Sequence, residues 1–211
     1  MELDSLRNEY TYSGLNRDSV ENDPVSQFEK WMNEALNAGI KYPTAMALST
    51  ISSDGFPRSR IVLLKYYDKT GFVFFTNYES EKGKSLEGNN AAGLHFFWPE
   101  LERQVIIAGY CEKTDRALSE KYFSTRPVES QISAWASPQS IEVPSREYLE
   151  KQYTGYKKKF ENHDIPAPPF WGGYRVVPNK IEFWQGRVNR LHDRILYQKI
   201  DNAWSIRRLG P

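Results

Sequence analysis

The sequence predicts an α+β protein built on antiparallel strands that curl into a barrel, with helices inserted between two groups of strands. Three observations predict it. Short β-rich runs follow one another at Thr44–Ser52, Arg58–Tyr67 and Phe72–Asn77, separated by the turn signals Asp54-Gly55 and Asp68–Gly71; turns this short join antiparallel neighbours. Helical patterns are inserted as a block after the first strands, which argues against a doubly wound parallel sheet. A second group of β-rich runs closes the sequence, from Gly173 to Arg208, so the same barrel must be completed by its C-terminal part.

Taken in order, residues 1–22 are polar and carry no period, punctuated by Arg7, Tyr10 and Tyr12. Asp23-Pro24 opens a helix, because Asp caps and Pro is tolerated in the first turn. Phe28, Trp31, Met32, Ala35 and Leu36 recur at helical spacing and face inward, and Gly39 stops the helix. The three strands follow. Glu79–Asn90 is a short polar helix or loop carrying Lys82 and Lys84, and Ala92–Trp98 and Glu102–Lys113 form a hairpin around Pro99-Glu100. Helices are expected at Asp115–Ser124, with Thr114 as cap, at Val128–Ala136 and at Ser145–Glu161. The proline cluster 166–169 then breaks the pattern. The final strands are Gly173–Val177, Lys180–Gln185, Arg190–Lys199 and Trp204–Arg208, with Asp201-Asn202 as the last turn.

A chain of 211 residues is long enough for one domain with a sizeable core. Its net charge of +1 argues against general coating of nucleic acid. The one cysteine, Cys111, cannot form an internal disulfide, follows an apolar run and reads as a small strand or core residue. No apolar run approaches a membrane span, and the N-terminal residues lack the apolar segment of a signal peptide. A soluble, reducing, cytoplasmic setting is expected.

Several common site signatures are missing. Neither glycine-rich phosphate cradle is present, nor are the zinc-protease and nucleophile-elbow patterns. His95, His163 and His192 do not fall into a metal-ligand spacing, and no metal is expected. A phosphorylated ligand would have to be held by side chains.

Three stretches concentrate suitable cations. Phe183–Arg194 brings Trp184 together with Arg190, His192 and Arg194; on a strand these three share one face, suited to a flat anion. Arg60 and Lys65 bracket an apolar strand five residues apart, on opposite faces unless the strand bends. Tyr122, Arg126 and Ser130 place a guanidinium between two hydroxyls at a helix boundary, a good phosphate receptor. Taken alone, each stretch also fits a solvated strand end or an ordinary helix junction.

Together these residues resemble the pyridoxine/pyridoxamine 5′-phosphate oxidase family. The matching segments are Arg60-Ile-Val-Leu-Leu-Lys65, Leu101-Glu-Arg-Gln-Val105, Tyr122-Phe-x-x-Arg-Pro-x-x-Ser-Gln-Ile132, Phe170-Trp-Gly-Gly173, Ile181-Glu-Phe-Trp-Gln-Gly186, Arg190-Leu-His-Asp-Arg194 and Arg208-Leu-Gly-Pro211. The resemblance covers essentially the whole sequence in order. It implies an α+β, antiparallel FMN-binding split β-barrel with peripheral helices, working as a homodimer with FMN at the interface. Residues 1–22 would form an arm covering the active site, and 23–211 the oxidase domain. The implied reaction converts pyridoxamine or pyridoxine 5′-phosphate to pyridoxal 5′-phosphate, with O2 as acceptor and H2O2 as product.

Carried over by position, Arg60 and Lys82 face the FMN phosphate, with Thr76 and Ser140 as donors. Ile61, Val62, Leu63, Leu64 and Lys65 line the flavin, joined by Phe75, Gln104, Gln139, Trp184 and Arg194. Lys65, Tyr122, Arg126 and Ser130 hold the substrate phosphate. Arg190, Leu191 and His192 meet the pyridine ring, with Arg190 and His192 the catalytic candidates, and Arg7 and Tyr10 cover the site from the arm. Two positions depart from the family pattern: Glu81 stands where a basic residue is common, and Asn8 where a second arginine is usual. Other readings are a split-barrel flavin reductase with a different substrate, a non-catalytic pyridoxal phosphate store, and a single-strand binder using aromatics beside cations. The near-neutral charge disfavours the last.

Overall fold

The computed structural model describes Tyr10 and residues 14–211. Nine strands among them form a single sheet. These are β1 (Ala45–Ile51), β2 (Pro57–Leu63), β3 (Tyr66–Asp68), β4 (Gly71–Asn77), β5 (Ala91–Trp98), β6 (Arg103–Lys113), β7 (Trp171–Gln185), β8 (Asp193–Ile200) and β9 (Ala203–Leu209). Five α-helices accompany them: α1 (Pro24–Asn37), α2 (Glu81–Gly88), α3 (Arg116–Ser124), α4 (Val128–Ala136) and α5 (Arg146–Lys159). The strand order is β2-β1-β5-β6-β7-β4-β3, with β8 and β9 continuing from β7, and every pairing is antiparallel.

The long strand β7 gives the barrel its split. Along one edge it pairs with β6; along the other, residues 171–176 pair with β4 and residues 180–185 with β8. The sheet therefore divides at the middle of β7, where Pro178 offers no N–H. A register shift between Ala108 and Gly109 in β6 absorbs that gap. Gly173–Val177 and Lys180–Gln185, expected as two strands, are thus one.

Helix α1 closes the core. Asp23 caps it by accepting from Ser26 N, and its apolar face buries Phe28, Trp31, Met32 and Ala35. Trp31 meets Phe183 edge-on at 5.2 Å, and Phe28 touches Phe72, Phe96 and Trp98. Each such side chain contributes roughly 1.5–3 kcal/mol of burial. Leu15 and Val20, just before α1, enter the same core.

Three further expectations are corrected. The run Arg58–Tyr67 is not one strand: Leu64 N donates to Thr44 O beside β1, whereas Lys65 N donates to Val73 O in β4, so the chain changes partner strand between them. The strand expected from Arg190 begins at Asp193, because 188–190 form a 3-10 turn with Asn189 and Arg190 at φ 57° and 59°. Arg190, His192 and Arg194 therefore do not share a strand face. Asp115, not Thr114, caps α3 by accepting from Leu118 N. Leu64, named with the flavin-lining residues, turns its side chain into the core at 4% exposed.

Among the described residues, no helix is long and apolar enough to cross a membrane, and no cluster of acidic, histidine or cysteine side chains has metal-binding geometry. Cys111 is buried, and burial pushes its thiol up to about 12.

Candidate functional site

A cleft of about 440 Å³ opens between β2, β4, the start of α2 and the α3–α4 junction, a volume suited to a small ligand. Its apolar wall comes from β2, where Ile61 and Leu63 are 68% and 42% exposed. Apolar side chains standing this far into solvent are suited to a planar ring. Val62 and Lys65 complete that wall.

The floor is aromatic. Phe75 stacks on Tyr122 at 4.2 Å and on Trp171 at 5.4 Å. Close packing behind this stack requires Gly173: a Cβ there would come within 2.9 Å of the Phe75 ring and 2.6 Å of Thr114 Oγ1.

Two cationic centres face the cleft. At one end Lys82, buried in the first turn of α2, donates to Gln139 Oε1 at 3.0 Å and to Ser80 Oγ at 3.3 Å. Thr76 Oγ1 donates to the same Gln139 oxygen at 3.2 Å. Nearby, Arg60 donates to Thr50 Oγ1 and Leu48 O. Burial lowers both pKa values, and Arg60 lowers that of Lys82 further. Every hydrogen-bond acceptor here is neutral, so an arriving anion would offset the cost of burying the charges. Glu81, beside Lys82, turns to Arg58, whose Nε lies 3.1 Å from its carboxylate.

The second centre is Arg126. Its guanidinium lies over the rings of Trp171, at 4.9 Å, and Phe123, at 5.4 Å. Its Nη1 is buried and has no hydrogen-bond partner, and burial lowers its pKa. A buried cationic donor without an acceptor is costly unless a ligand supplies one. Lys65 Nζ stands 5.7 Å from the Tyr122 ring beside it.

A separate corner forms at the far end of β7. Trp184, paired across the sheet with Gln104 and Arg194, stacks at a tilt on His192, with centroids 4.6 Å apart. Tyr10 meets both rings edge-on, at 5.6 and 5.3 Å. Gly186 makes that approach possible, since a Cβ would lie 2.5 Å from the Tyr10 ring. Arg187 N donates to His192 Nδ1 at 3.2 Å, which leaves the proton of the neutral ring on Nε2. Burial, and then Arg190, lower the His192 pKa. Gln104 bonds His95 at 2.9 Å.

Arg194 is already partnered: Nε and Nη2 bind both oxygens of Glu182, and Nη1 binds Gly210 O. The sequence offers only Asp193 as a local carboxylate, and Asp193 pairs instead with Arg187 and Arg208. Glu182 reaches Arg194 across strands.

Most predicted residues thus fall into two groups. The cleft gathers Ile61, Val62, Leu63, Lys65, Phe75, Thr76, Lys82, Tyr122, Arg126 and Gln139; the corner gathers Tyr10, Gln104, Trp184, His192 and Arg194. Arg190 and Leu191 stand exposed beside the corner. Ser130 sits in the first turn of α4 and Ser140 just past Gln139 at φ 66°, neither in the cleft lining. Arg7 lies outside the described residues. Trp171, Asn77, Ser133 and Ser137 also line the cleft. Of these only Trp171 had a signal, inside the Phe170-Trp-Gly-Gly173 motif.

The two groups are well separated along the chain's framework. Trp171 and Trp184 mark opposite ends of β7, roughly 40 Å along an extended strand.

Comparison with known proteins gives concordant results. The family model described as Pyridoxamine 5′-phosphate oxidase matches residues 32–159, and that described as Pyridoxine 5′-phosphate oxidase C-terminal dimerisation region matches 171–211. A pyridoxine/pyridoxamine 5′-phosphate oxidase of Nostoc punctiforme is 51% identical, over 98% of this chain and 97% of its own length. One from Hahella chejuensis is 49% identical over the full length of both. Among solved structures, PhzG from Burkholderia lata 383, crystallised with tetrahydrophenazine-1-carboxylic acid, superposes with a TM-score of 0.90 at 29% identity, covering 97% of this chain and 100% of that one. A pyridoxamine 5′-phosphate oxidase-related, FMN-binding protein of Nostoc punctiforme has the same fold, with a TM-score of 0.70 at 17% identity, covering 87% and 97% of the two chains.

Proposed function

The chain belongs to the pyridoxamine 5′-phosphate oxidase family, and from that premise we propose that it oxidises pyridoxamine or pyridoxine 5′-phosphate to pyridoxal 5′-phosphate with FMN as cofactor. The observation that carries this reading is the pair of cationic centres in one cleft, buried Lys82 with only neutral acceptors and half-buried Arg126 with a buried, orphaned Nη1. A flavin phosphate and a substrate phosphate are two anions, and the cleft has a receptor for each.

The residues fit FMN. Lys82, Arg60, Thr76 and Gln139 would hold its phosphate, and the exposed Ile61 and Leu63 would cover its ring. FMN supplies the two-electron acceptor for oxidation at the substrate's 4′-carbon, with dioxygen as the terminal acceptor and hydrogen peroxide as its product.

The protein's own contribution is binding, orientation and charge. Arg126, with Tyr122 and Lys65, would anchor the substrate phosphate. Neutral His192 offers an Nε2–H donor, held in that tautomer by Arg187 N, and can hydrogen-bond the substrate's polar edge. Arg190 adds an exposed cation beside it. Tyr10, packed on Trp184 and His192, would shield that edge of the site from water.

Cleft and corner sit at opposite ends of β7, so they complete each other best between two copies of the chain. We therefore place FMN at a homodimer interface, in keeping with the match of 171–211 to a dimerisation region.

The test is to release and identify the flavin from purified protein, then assay pyridoxamine 5′-phosphate for aldehyde and peroxide formation. FMN with stoichiometric peroxide supports the reading. Binding of pyridoxal 5′-phosphate without flavin or turnover would make the protein a store, and turnover confined to an unphosphorylated carboxylate, as the likeness to PhzG allows, would reassign the substrate.

A further inference from the structure

The start of α2 holds a carboxylate where a phosphate receptor is least served by one. Glu81 is the first residue of α2 and adjoins Lys82. Its negative charge acts on both Lys82 and Arg60, the two cations of that receptor. It is not left free. Arg58 Nε binds it at 3.1 Å, while Arg58 Nη2 binds Asp54 at 3.1 Å in the β1–β2 turn. Arg58 and Arg60 stand two residues apart on β2 and so project from the same strand face. The cations thus form a row of Arg58, Arg60 and Lys82 with Glu81 drawn to its outer end.

Given the reading of Lys82 and Arg60 as the cofactor's phosphate receptor, we propose that Arg58 and Glu81 are a specificity-setting pair for that phosphate. Arg58 neutralises Glu81, and Glu81 in turn limits how tightly the receptor holds a dianion. Both side chains are about half exposed, so the effect is modest and sensitive to salt. The pair is a positioning and charge-setting element, without contact to the reacting atoms.

Three substitutions separate the two roles. Glu81→Gln removes the carboxylate and keeps the shape. Arg58→Gln removes a cation and also unmasks Glu81. The double variant removes a cation with nothing to unmask.

The experiment titrates the full chain, freed of flavin, with FMN and with riboflavin, following quenching of flavin fluorescence at low and high ionic strength. Riboflavin lacks the phosphate and reports the ring alone. At low salt, Glu81→Gln is expected to tighten FMN about threefold and Arg58→Gln to weaken it about fivefold. In the Glu81→Gln background, Arg58→Gln should cost only about twofold. High salt should shrink all three effects, and riboflavin affinity should not move.

Equal effects of Arg58→Gln in both backgrounds would overturn the masking role, as would an unchanged FMN affinity in Glu81→Gln. Equal shifts for FMN and riboflavin would show that the pair acts on the ring or the fold. If the unmodified protein binds FMN no better than riboflavin, the phosphate-receptor reading itself fails, and the pair falls with it.

Discussion

The cleft and the corner treat positive charge in opposite ways. In the cleft, Lys82 meets only neutral oxygens and Arg126 keeps a buried Nη1 without an acceptor. In the corner, Arg194 is bound by both oxygens of Glu182, and Arg187 and Arg208 share Asp193. The cleft is charged in waiting, whereas the corner is satisfied within itself and presents neutral rings. Stability and binding are therefore separable: the cleft gives up stability for affinity, and the corner uses its charges as framework.

The largest effect should come from Arg126→Ala. A charge-assisted contact contributes about 1.5–3 kcal/mol, so KM for pyridoxamine 5′-phosphate should rise roughly tenfold to a hundredfold with FMN retained. Stability in urea should hold or improve, because a buried donor without a partner is removed. Loss of stability with unchanged KM would erase the contrast.

Glu182→Gln is the corresponding change in the corner. It leaves Arg194 with half its partner, and unfolding free energy should fall by about 1–3 kcal/mol. Urea denaturation measures this, and a change that appears in KM but not in stability would contradict the scaffold role.

Gly186→Ala probes the packing of Tyr10. Its new Cβ would collide with the ring, so kcat/KM should drop several-fold, a shift of about 1 kcal/mol, with FMN affinity unchanged. Full activity would remove Tyr10 from the site.

The smallest effect concerns pH. His192 titrates below its ordinary 6.5 because of burial and then Arg190. Its neutral form is favoured in the folded chain, so the associated stability is present above 6.5 and is lost as pH falls below it, where the unfolded chain takes up the proton more readily. Arg190→Gln should move the His192 midpoint upward toward 6.5. An NMR titration of the ring reads this directly, and an unmoved midpoint would detach Arg190 from His192.

Much of this was legible in the residues. Asp23-Pro24 announced α1, Arg126-Pro127 the start of α4, and the turn signals the antiparallel hairpins. Ile61, Val62, Leu63, Lys65, Tyr122 and Arg126 were identifiable by family resemblance because they lie in contiguous motifs, whereas Phe75, Thr76, Lys82 and Gln139 were matched only by position outside those motifs. What escaped depended on partners remote in sequence or on special backbone. Leu64 reads as one more residue of an apolar strand, yet the chain changes partner there and buries it. Asn189 tolerates a left-handed backbone, but nothing in Val188-Asn-Arg190 announces that Arg190 follows it there, which takes Arg190 out of the strand. The Glu182–Arg194 pair follows from the β7–β8 register, which local periodicity does not determine. Glu81 departs from the family pattern in sequence, and its partner Arg58 lies 23 residues away on another element.

The length of β7 has a consequence for enzymology. If its two ends serve different active centres, activity belongs to pairs of chains and must decline on dilution past the point of dissociation. Two variants, each impaired at one end and assayed at substrate well below KM, should then complement each other. Mixing Arg126→Ala with Trp184→Ala chains and allowing exchange would rebuild about a quarter of the centres, because a mixed pair holds one intact centre and one doubly damaged.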